Sequence, residues 1–347
     1  MTASMAIEIG ALGHLDLNAV LDGAARLRPG RPALSDGSDA PPLRFADFDR
    51  KVLGLASQLA QLKLAPQSRL LLLGGASISS ILLIFAALRA GLDIALAPAF
   101  LDPAELRRFA QDVEAVGLAV DPAFLAVRSE DYVLEMAAGL PGVRVICAMS
   151  PMDSAVLLDP DIPMGSENVP DNKTEALVIL HDPQGPPAYY NQRRLLAAAL
   201  DVATQARIGT QQPILSTLSP MSFAGFVAGP LAALLAGTQL VLHAPFERAA
   251  FAAALGKLEP CHLLAPAALL PALARERVTA SRHCASLVLS GTGEAPPQPG
   301  AVEESLPAFN FSWSGSAGYS FTRRGAEPQP LAVMGQRMRA ATIFNQA

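Results

Sequence analysis

Leu70-Leu71-Leu72-Leu73-Gly74-Gly75-Ala76-Ser77-Ile78-Ser79-Ser80-Ile81-Leu82-Leu83-Ile84-Phe85-Ala86-Ala87-Leu88 runs without a formal charge between Arg69 and Arg89. A stretch of that length is enough to cross a bilayer. Its internal order points elsewhere. Four leucines followed by two glycines read as a buried parallel strand closing into a turn. The serines at 77, 79 and 80 then supply hydroxyls for the start of a helix that carries on to Leu88. A second uncharged stretch, Ile208 to Phe246, is cut by Pro213, Pro220 and Pro230 and by glycines at 209, 225, 229 and 237. It reads as strand, loop, buried helix and strand rather than as one membrane span. The expectation is no membrane insertion.

The same alternation extends in both directions. Phe45 to Leu62, Pro103 to Val116, Gln192 to Gln205 and Ala249 to Leu258 have helical patterns. Leu118-Ala119-Val120, Val143 to Cys147, Leu177 to Leu180, Gln239 to Leu242 and Leu287 to Leu289 are short apolar runs of strand type. Strand and helix in succession predict an α/β fold of mostly parallel sheets covered by helices. With 51% hydrophobic and 16% charged residues, the chain can bury a large core and is not of disordered composition. The formal net charge of -5, with both signs interleaved, gives no reason to expect nucleic acid as a partner. Three cysteines (Cys147, Cys261 and Cys284) make no disulfide framework, and the N-terminus has no secretory pattern, so a cytoplasmic protein is expected.

Several segments, in order, resemble the N-terminal domain of the adenylate-forming (AMP-binding) acyl-CoA synthetase and adenylation-domain superfamily. Arg31-Pro32-Ala33-Leu34 and Leu43 to Phe48 are similar to its opening strand and first helix. Gln67 to Leu73 is similar to its "gDrVal" strand, and Phe85 to Gly91 to the helix end that follows. Leu215 to Met221 through Leu231 to Gly237 resembles the acyl-pocket region, and Ser286 to Pro296 the "sGGEaL" segment. The matches span about residues 20 to 340. The resemblance implies a first α/β subdomain over 1–172, a second over 173–325, and the start of a third, barrel subdomain over 326–347. It implies ATP or AMP, magnesium and coenzyme A as the cofactors of active relatives.

The family's chemical signatures are altered here. Its phosphate loop reads S/T-G-T-T-G-x-P-K-G after a strand, and the matching residues are His181-Asp182-Pro183-Gln184-Gly185-Pro186-Pro187-Ala188. Gly185 and Pro187 match; Ala188 stands where the lysine would be. A phosphate loop works through N–H donors, hydroxyls and positive charge. Prolines have no N–H, and Asp182 repels a polyphosphate. The physical reading of this segment alone is a plain strand-to-helix connection. The Y-G-x-T-E signature aligns Ser312 with the aromatic residue and Ser316 with the magnesium-binding glutamate, which a hydroxyl replaces poorly. The aspartate of T-G-D, the hinge and the lysine of a mobile C-terminal domain find no match before Ala347.

Other parts keep the pattern. Gly293, Glu294 and Ala295 occupy the backbone that lies against adenine in the family, and Phe223, Ala224, Gly225, Phe226, Gly229 and Gly291 occupy its acyl or aryl pocket. Core packing explains the apolar ones equally well. Gly291-Thr292-Gly293 lacks the third glycine of a dinucleotide fingerprint, and Ser314 to Gly318 lacks the first glycine of a nucleophile elbow. Cys261-His262 and His283-Cys284 lack metal spacing, since adjacent side chains diverge. Tyr189-Tyr190 with Arg193-Arg194 reads as a helix start with a solvated face. The resulting expectation is a catalytically impaired homologue with no cofactor of its own. It would bind a partner protein, a second copy or a small acyl or aryl ligand, and a partner would cover the surface that a C-terminal domain normally docks on. The rivals are a divergent acyl-adenylate ligase completed by a separate C-terminal subunit, and a structural dimerisation scaffold.

Overall fold

The computed structural model describes residues 16–38, 40–162, 175–243, 246–258, 260–275, 278, 283–291, 302, 305–315 and 318–324. The chain opens with α1 (Leu17–Leu27), β1 (Pro32–Ser35), β2 (Leu43–Arg44) and α2 (Phe45–Gln61). There follow β3 (Arg69–Gly74), α3 (Ile78–Arg89), β4 (Asp93–Pro98), α4 (Pro103–Asp112), β5 (Gly117–Val120), α5 (Pro122–Leu125), α6 (Glu130–Ala138), β6 (Val145–Ala148) and β7 (Val156–Leu157). Next come β8 (Val178–Leu180), β9 (Ala188–Tyr190), α7 (Gln192–Gln205), β10 (Ile214–Ser216), α8 (Phe223–Phe226), α9 (Ala232–Ala236) and β11 (Leu240–Leu242). The described chain closes with α10 (Arg248–Leu258), β12 (Cys261–Pro266), α11 (Leu270–Arg275), β13 (Cys284–Ser290), β14 (Ala308–Trp313) and β15 (Tyr319–Arg323).

The strands form two sheets. One has the order β7-β6-β5-β3-β4-β8-β9, the other β15-β14-β13-β12-β10-β11-β1-β2. Inner neighbours are parallel; the β8–β9, β14–β15 and β1–β2 pairs are antiparallel and lie at sheet ends. Each sheet takes strands from both sides of residue 172. Leu34 on β1 pairs with Leu240 on β11, and Ile94 on β4 pairs with Val178 on β8. The two halves of the chain are therefore tied by backbone ladders as well as by packing.

Apolar burial divides the protein into five layers. The even-numbered face of the first sheet (Leu70, Leu72, Ile94, Leu96) and one face of the second (Ile214, Leu240, Leu264, Val288) share a core with α1, α2, α3, α7, α8 and α9. The opposite face of the first sheet packs on α4, α5 and α6 through Leu106, Phe109, Phe124 and Val133. The opposite face of the second packs on α10 and α11 through Phe251, Leu255, Leu270 and Leu273. The leucine run of β3 is buried on both faces because helices cover both. Helix α3 is buried from Ser80 to Leu88, which accounts for its apolar surface on every side. Ser77 caps it by accepting from the Ser80 N–H. Among the described residues, no helix is long and apolar enough to cross a membrane.

Two local outcomes differ from the sequence pattern. The helix expected over 103–116 stops at Asp112, because Glu114 adopts the left-handed region at φ 48° and turns the chain into β5. The helix over 223–236 contains a π turn at Val227–Leu231, where Pro230 offers no N–H to the helical ladder. Gly237 then terminates it at φ 66°.

Candidate functional site

The segment at the phosphate-loop position is the turn of a β-hairpin. Leu180 at the end of β8 pairs with Ala188 at the start of β9, and only after Tyr190 does the chain enter α7. The strand-to-helix connection expected here thus contains an extra strand. The Ala188-Tyr189-Tyr190 run makes it, with Ala188 and Tyr190 inward and Tyr189 outward. Asn191 then caps α7 by accepting from the Arg194 N–H at 2.9 Å.

The hairpin turn satisfies itself. The Asp182 carboxylate accepts from the Gln184 N–H at 3.0 Å, and the Gly185 N–H donates to the Asp182 carbonyl at 3.4 Å. Positions 183, 186 and 187 are proline. His181 turns away from the turn: its Nε2 lies 3.0 Å from Glu105 Oε1 on α4, and its ring stands edge-on to Phe109. Burial lowers the His181 pKa, with Glu105 and Asp182 opposing. A shallow cleft of about 10 Å³ lies beside the turn, lined by Arg108, Asp112, His181, Asp182 and Gly185 among others. Ligand sites for drug-sized molecules run to roughly 300–1,000 Å³.

The turn is also fastened to the end of β14. A Cβ placed on Gly315 would sit 1.7 Å from Asp182 Oδ2, so the carboxylate lies against the bare glycine backbone. Gly315 has φ 46°, where a side chain is strained in any case. Tyr190 donates its hydroxyl to the Gly315 carbonyl at 2.6 Å and accepts from Trp313 Nε1 at 2.8 Å. Burial raises the Tyr190 pKa, so its phenol stays protonated as this network needs.

The segment at the acyl-pocket position is packed with rings. Phe223, 3% exposed, lies parallel to Trp313 at 5.7 Å between ring centres. Tyr190, Phe311 and Tyr319 surround it at 5.1, 5.8 and 5.8 Å. Ala224 and Phe226 are buried. Gly225 lets the backbone pass Ser219, since a Cβ there would fall 2.0 Å from the Ser219 carbonyl oxygen. Gly229 faces the Leu240 methyls, and Gly291 donates its N–H to the Phe311 carbonyl at 3.2 Å. Ser312 lies on β14 opposite Ser320, so β14 and β15 form a hairpin that the sequence reading treated only as a motif. Gly293, Glu294, Ala295 and Ser316 lie outside the described residues.

Cys261 and His262 diverge as expected for neighbours along a strand, Cys261 entering the outer core and His262 bonding Ser286, while His283 precedes β13. Among the described residues, no three His, Cys, Asp or Glu side chains gather as a metal site would require. His262 instead bonds Ser286 through Nδ1 at 2.8 Å, while its buried Nε2 has no hydrogen-bond partner. Burial pulls its pKa down from 6.5 to about 4. A depressed histidine favours the folded state above the unfolded value and loses that contribution as pH falls. Stability should therefore drop between pH 6.5 and about 4 by on the order of 3 kcal/mol from this group. Urea midpoints against pH test this: His262→Gln should flatten the slope in that window, and an unchanged slope would refute the assignment.

Residues 21–180 match the family model for AMP-binding enzymes. Among solved structures, the chain is similar to apo MbtA of Mycobacterium smegmatis, with a TM-score of 0.72 and 23% identity over 90% of this chain and 59% of that one. It is similar to a putative long-chain-fatty-acid CoA ligase of Rhodopseudomonas palustris, with a TM-score of 0.73 and 22% identity over 90% and 80%. It is similar to the O-succinylbenzoate coenzyme A synthetase MenE of Bacillus subtilis in complex with AMP, with a TM-score of 0.65 and 18% identity over 84% and 72%. The chain spans 59% of the length of the first of these. No curated protein matches. At these identities the likeness shows the fold, which is that of the N-terminal domain of adenylate-forming enzymes.

Proposed function

We propose that this chain is a catalytically impaired homologue of the AMP-forming ligases that works by binding, as an accessory to another protein. One observation carries the reading: the turn where relatives hold phosphate is a closed hairpin whose own carboxylate, Asp182, takes the Gln184 N–H and lies against Gly315. ATP and its magnesium do not fit these residues. Charge stabilisation of a phosphoryl centre needs donors and cations aimed at it. Here the exposed prolines offer no donor, and the position of the loop lysine is filled by a buried alanine. The aromatic packing around Phe223 supports the same conclusion for the acid substrate, because its rings occupy the space where relatives are expected to place an acyl or aryl group.

The partner is then a second protein or a second copy of this chain. A small acyl or aryl ligand would have to part the rings to enter. Equilibrium binding tests the reading: calorimetric titration with ATP and magnesium, with AMP, and with a panel of short, long and aromatic acids. The expected result is no saturable heat with ATP. Micromolar ATP binding that rises with magnesium would refute the closed-hairpin account.

A further inference from the structure

The two cysteines dismissed as metal ligands are placed together in another way. Strands β12 and β13 are parallel neighbours, and their first residues, Cys261 and Cys284, are direct register partners. The register shifts by one residue immediately afterwards, so that His262 pairs with Ser286. That bulge sets the side-chain directions. Cys261 and Cys284 both enter the outer core with Leu263, Leu273, Val278 and Leu306, whereas His262 and Ser286 bond each other at 2.8 Å. Backbone contacts hold both cysteines in place. The Cys261 N–H donates to the His283 carbonyl at 3.2 Å, and the Cys284 thiol donates to the Val278 carbonyl at 3.3 Å. Both are thiols, and both are buried.

Neighbouring strands lie about 4.8 Å apart. Disulfides bridge Cα separations of about 4.4–6.8 Å when the Cβ vectors share a side. Register partners that enter one core from one face meet both conditions. The third cysteine, Cys147, sits on β6 of the other sheet and donates to the Leu118 carbonyl.

We propose that Cys261 and Cys284 are a latent disulfide site, closing a bond between the starts of β12 and β13 when a low-molecular-weight disulfide such as oxidised glutathione is the oxidant. One cysteine sulfur attacks the oxidant and releases one thiol, leaving a mixed disulfide. The second cysteine displaces the remaining thiol and forms the protein S–S bond. Two cysteine thiols are oxidised, the oxidant is reduced to two thiols, and the two protons leave on them. The bond would enclose the segment carrying α11 and staple it to the sheet. Because both sulfurs are buried, exchange in the folded protein waits for local opening.

The test uses the full chain in two arms. In the first, the reduced, urea-unfolded protein is refolded in a reduced/oxidised glutathione buffer, so that burial does not limit access. It is then unfolded and alkylated, and its peptides are mapped by mass. The expected product has a Cys261–Cys284 linked peptide with only Cys147 alkylated, and a urea midpoint above that of the same sample treated with dithiothreitol. Cys147→Ala should behave like wild type, whereas Cys261→Ala and Cys284→Ala should each show no linked peptide and no midpoint shift. Three alkylated thiols, stable glutathione adducts at both positions or a bond to Cys147 would overturn the proposal. In the second arm the folded protein is incubated in the same buffer, and the bond should appear more slowly than during refolding. Equal or faster formation would contradict the buried placement of the pair.

Discussion

Replacing Ala188 with lysine should destabilise the protein by about 3–5 kcal/mol and should confer no affinity for ATP. The substitution restores the residue type that the family pattern carries, so a degraded but open loop would respond by binding phosphate. The structure dictates the opposite. Ala188 is 1% exposed, pairs with Leu180 across the hairpin and belongs to the central core with Leu195, Leu196 and Phe223. An ammonium group placed there must either lose its hydration without a counter-ion or pull β9 from the sheet. A long stem can snorkel toward solvent and recover part of the cost. Urea unfolding of the variant, with and without ATP and magnesium, reads both outcomes. A wild-type midpoint that rises with ATP would mean that the loop is an intact phosphate site.

Phe223→Ala should cost about 3–5 kcal/mol, the range for removing a buried aromatic ring from a packed core. Four other rings touch Phe223, so the loss removes edge-to-face and stacked contacts as well as buried area. The rings that remain are fixed on three strands, β9, β14 and β15, and cannot all collapse inward. They would line an apolar cavity, and such cavities in other proteins stay dry and take up small aromatic molecules. Trp313 is the only tryptophan and stacks on Phe223, so its emission reports the change directly. The variant should bind a neutral monocyclic aromatic with a shift in that emission, while the wild type should not respond. Equal responses from both would show that the rings already part to admit a ligand.

Much of the architecture was legible before any coordinates. The Leu70 to Leu88 stretch reads as a buried strand followed by a helix, and β3 and α3 are found there, with α3 buried on more sides than the serine-led start suggests. The parallel sheets followed from the alternation. Less visible were strands whose apolar character is diluted. Asp93 to Pro98 is wholly buried, yet it is rich in alanine and begins with an aspartate whose carboxylate accepts the Leu177 N–H. Burial raises the pKa of that carboxylate. The pairing of β1 with β11 joins residues about two hundred positions apart, and no local pattern encodes such a ladder.

At the candidate site, the departures from the family's residue pattern were legible and the geometry was not. Asp182, Ala188 and the three prolines told against phosphate binding as residue types. The hairpin return of Ala188 to Tyr190 was hidden because three residues are too few to show a strand period. The aromatic cluster was hidden for a different reason. Phe223, Trp313, Tyr190 and Tyr319 come from four separate elements, and only the tertiary fold brings the other three within 6 Å of the Phe223 ring centre. Phe223 was singled out as a pocket residue, and the structure surrounds its ring with those of Tyr190, Phe311, Trp313 and Tyr319.

The central claim is that this chain does not form acyl-adenylates. That reaction brings a carboxylate to the α-phosphate of ATP, and the repulsion between them must be screened by cations and oriented donors. Loss of one such contact typically costs about 10²–10³ in rate, and losses within one site are not independent. The most direct measurement is ATP–pyrophosphate exchange by the purified chain with magnesium and a panel of short, long and aromatic acids. The account predicts no exchange above the no-enzyme control for any acid. Turnover in the ordinary enzyme range of roughly 1–10³ s⁻¹ with any of them would contradict it.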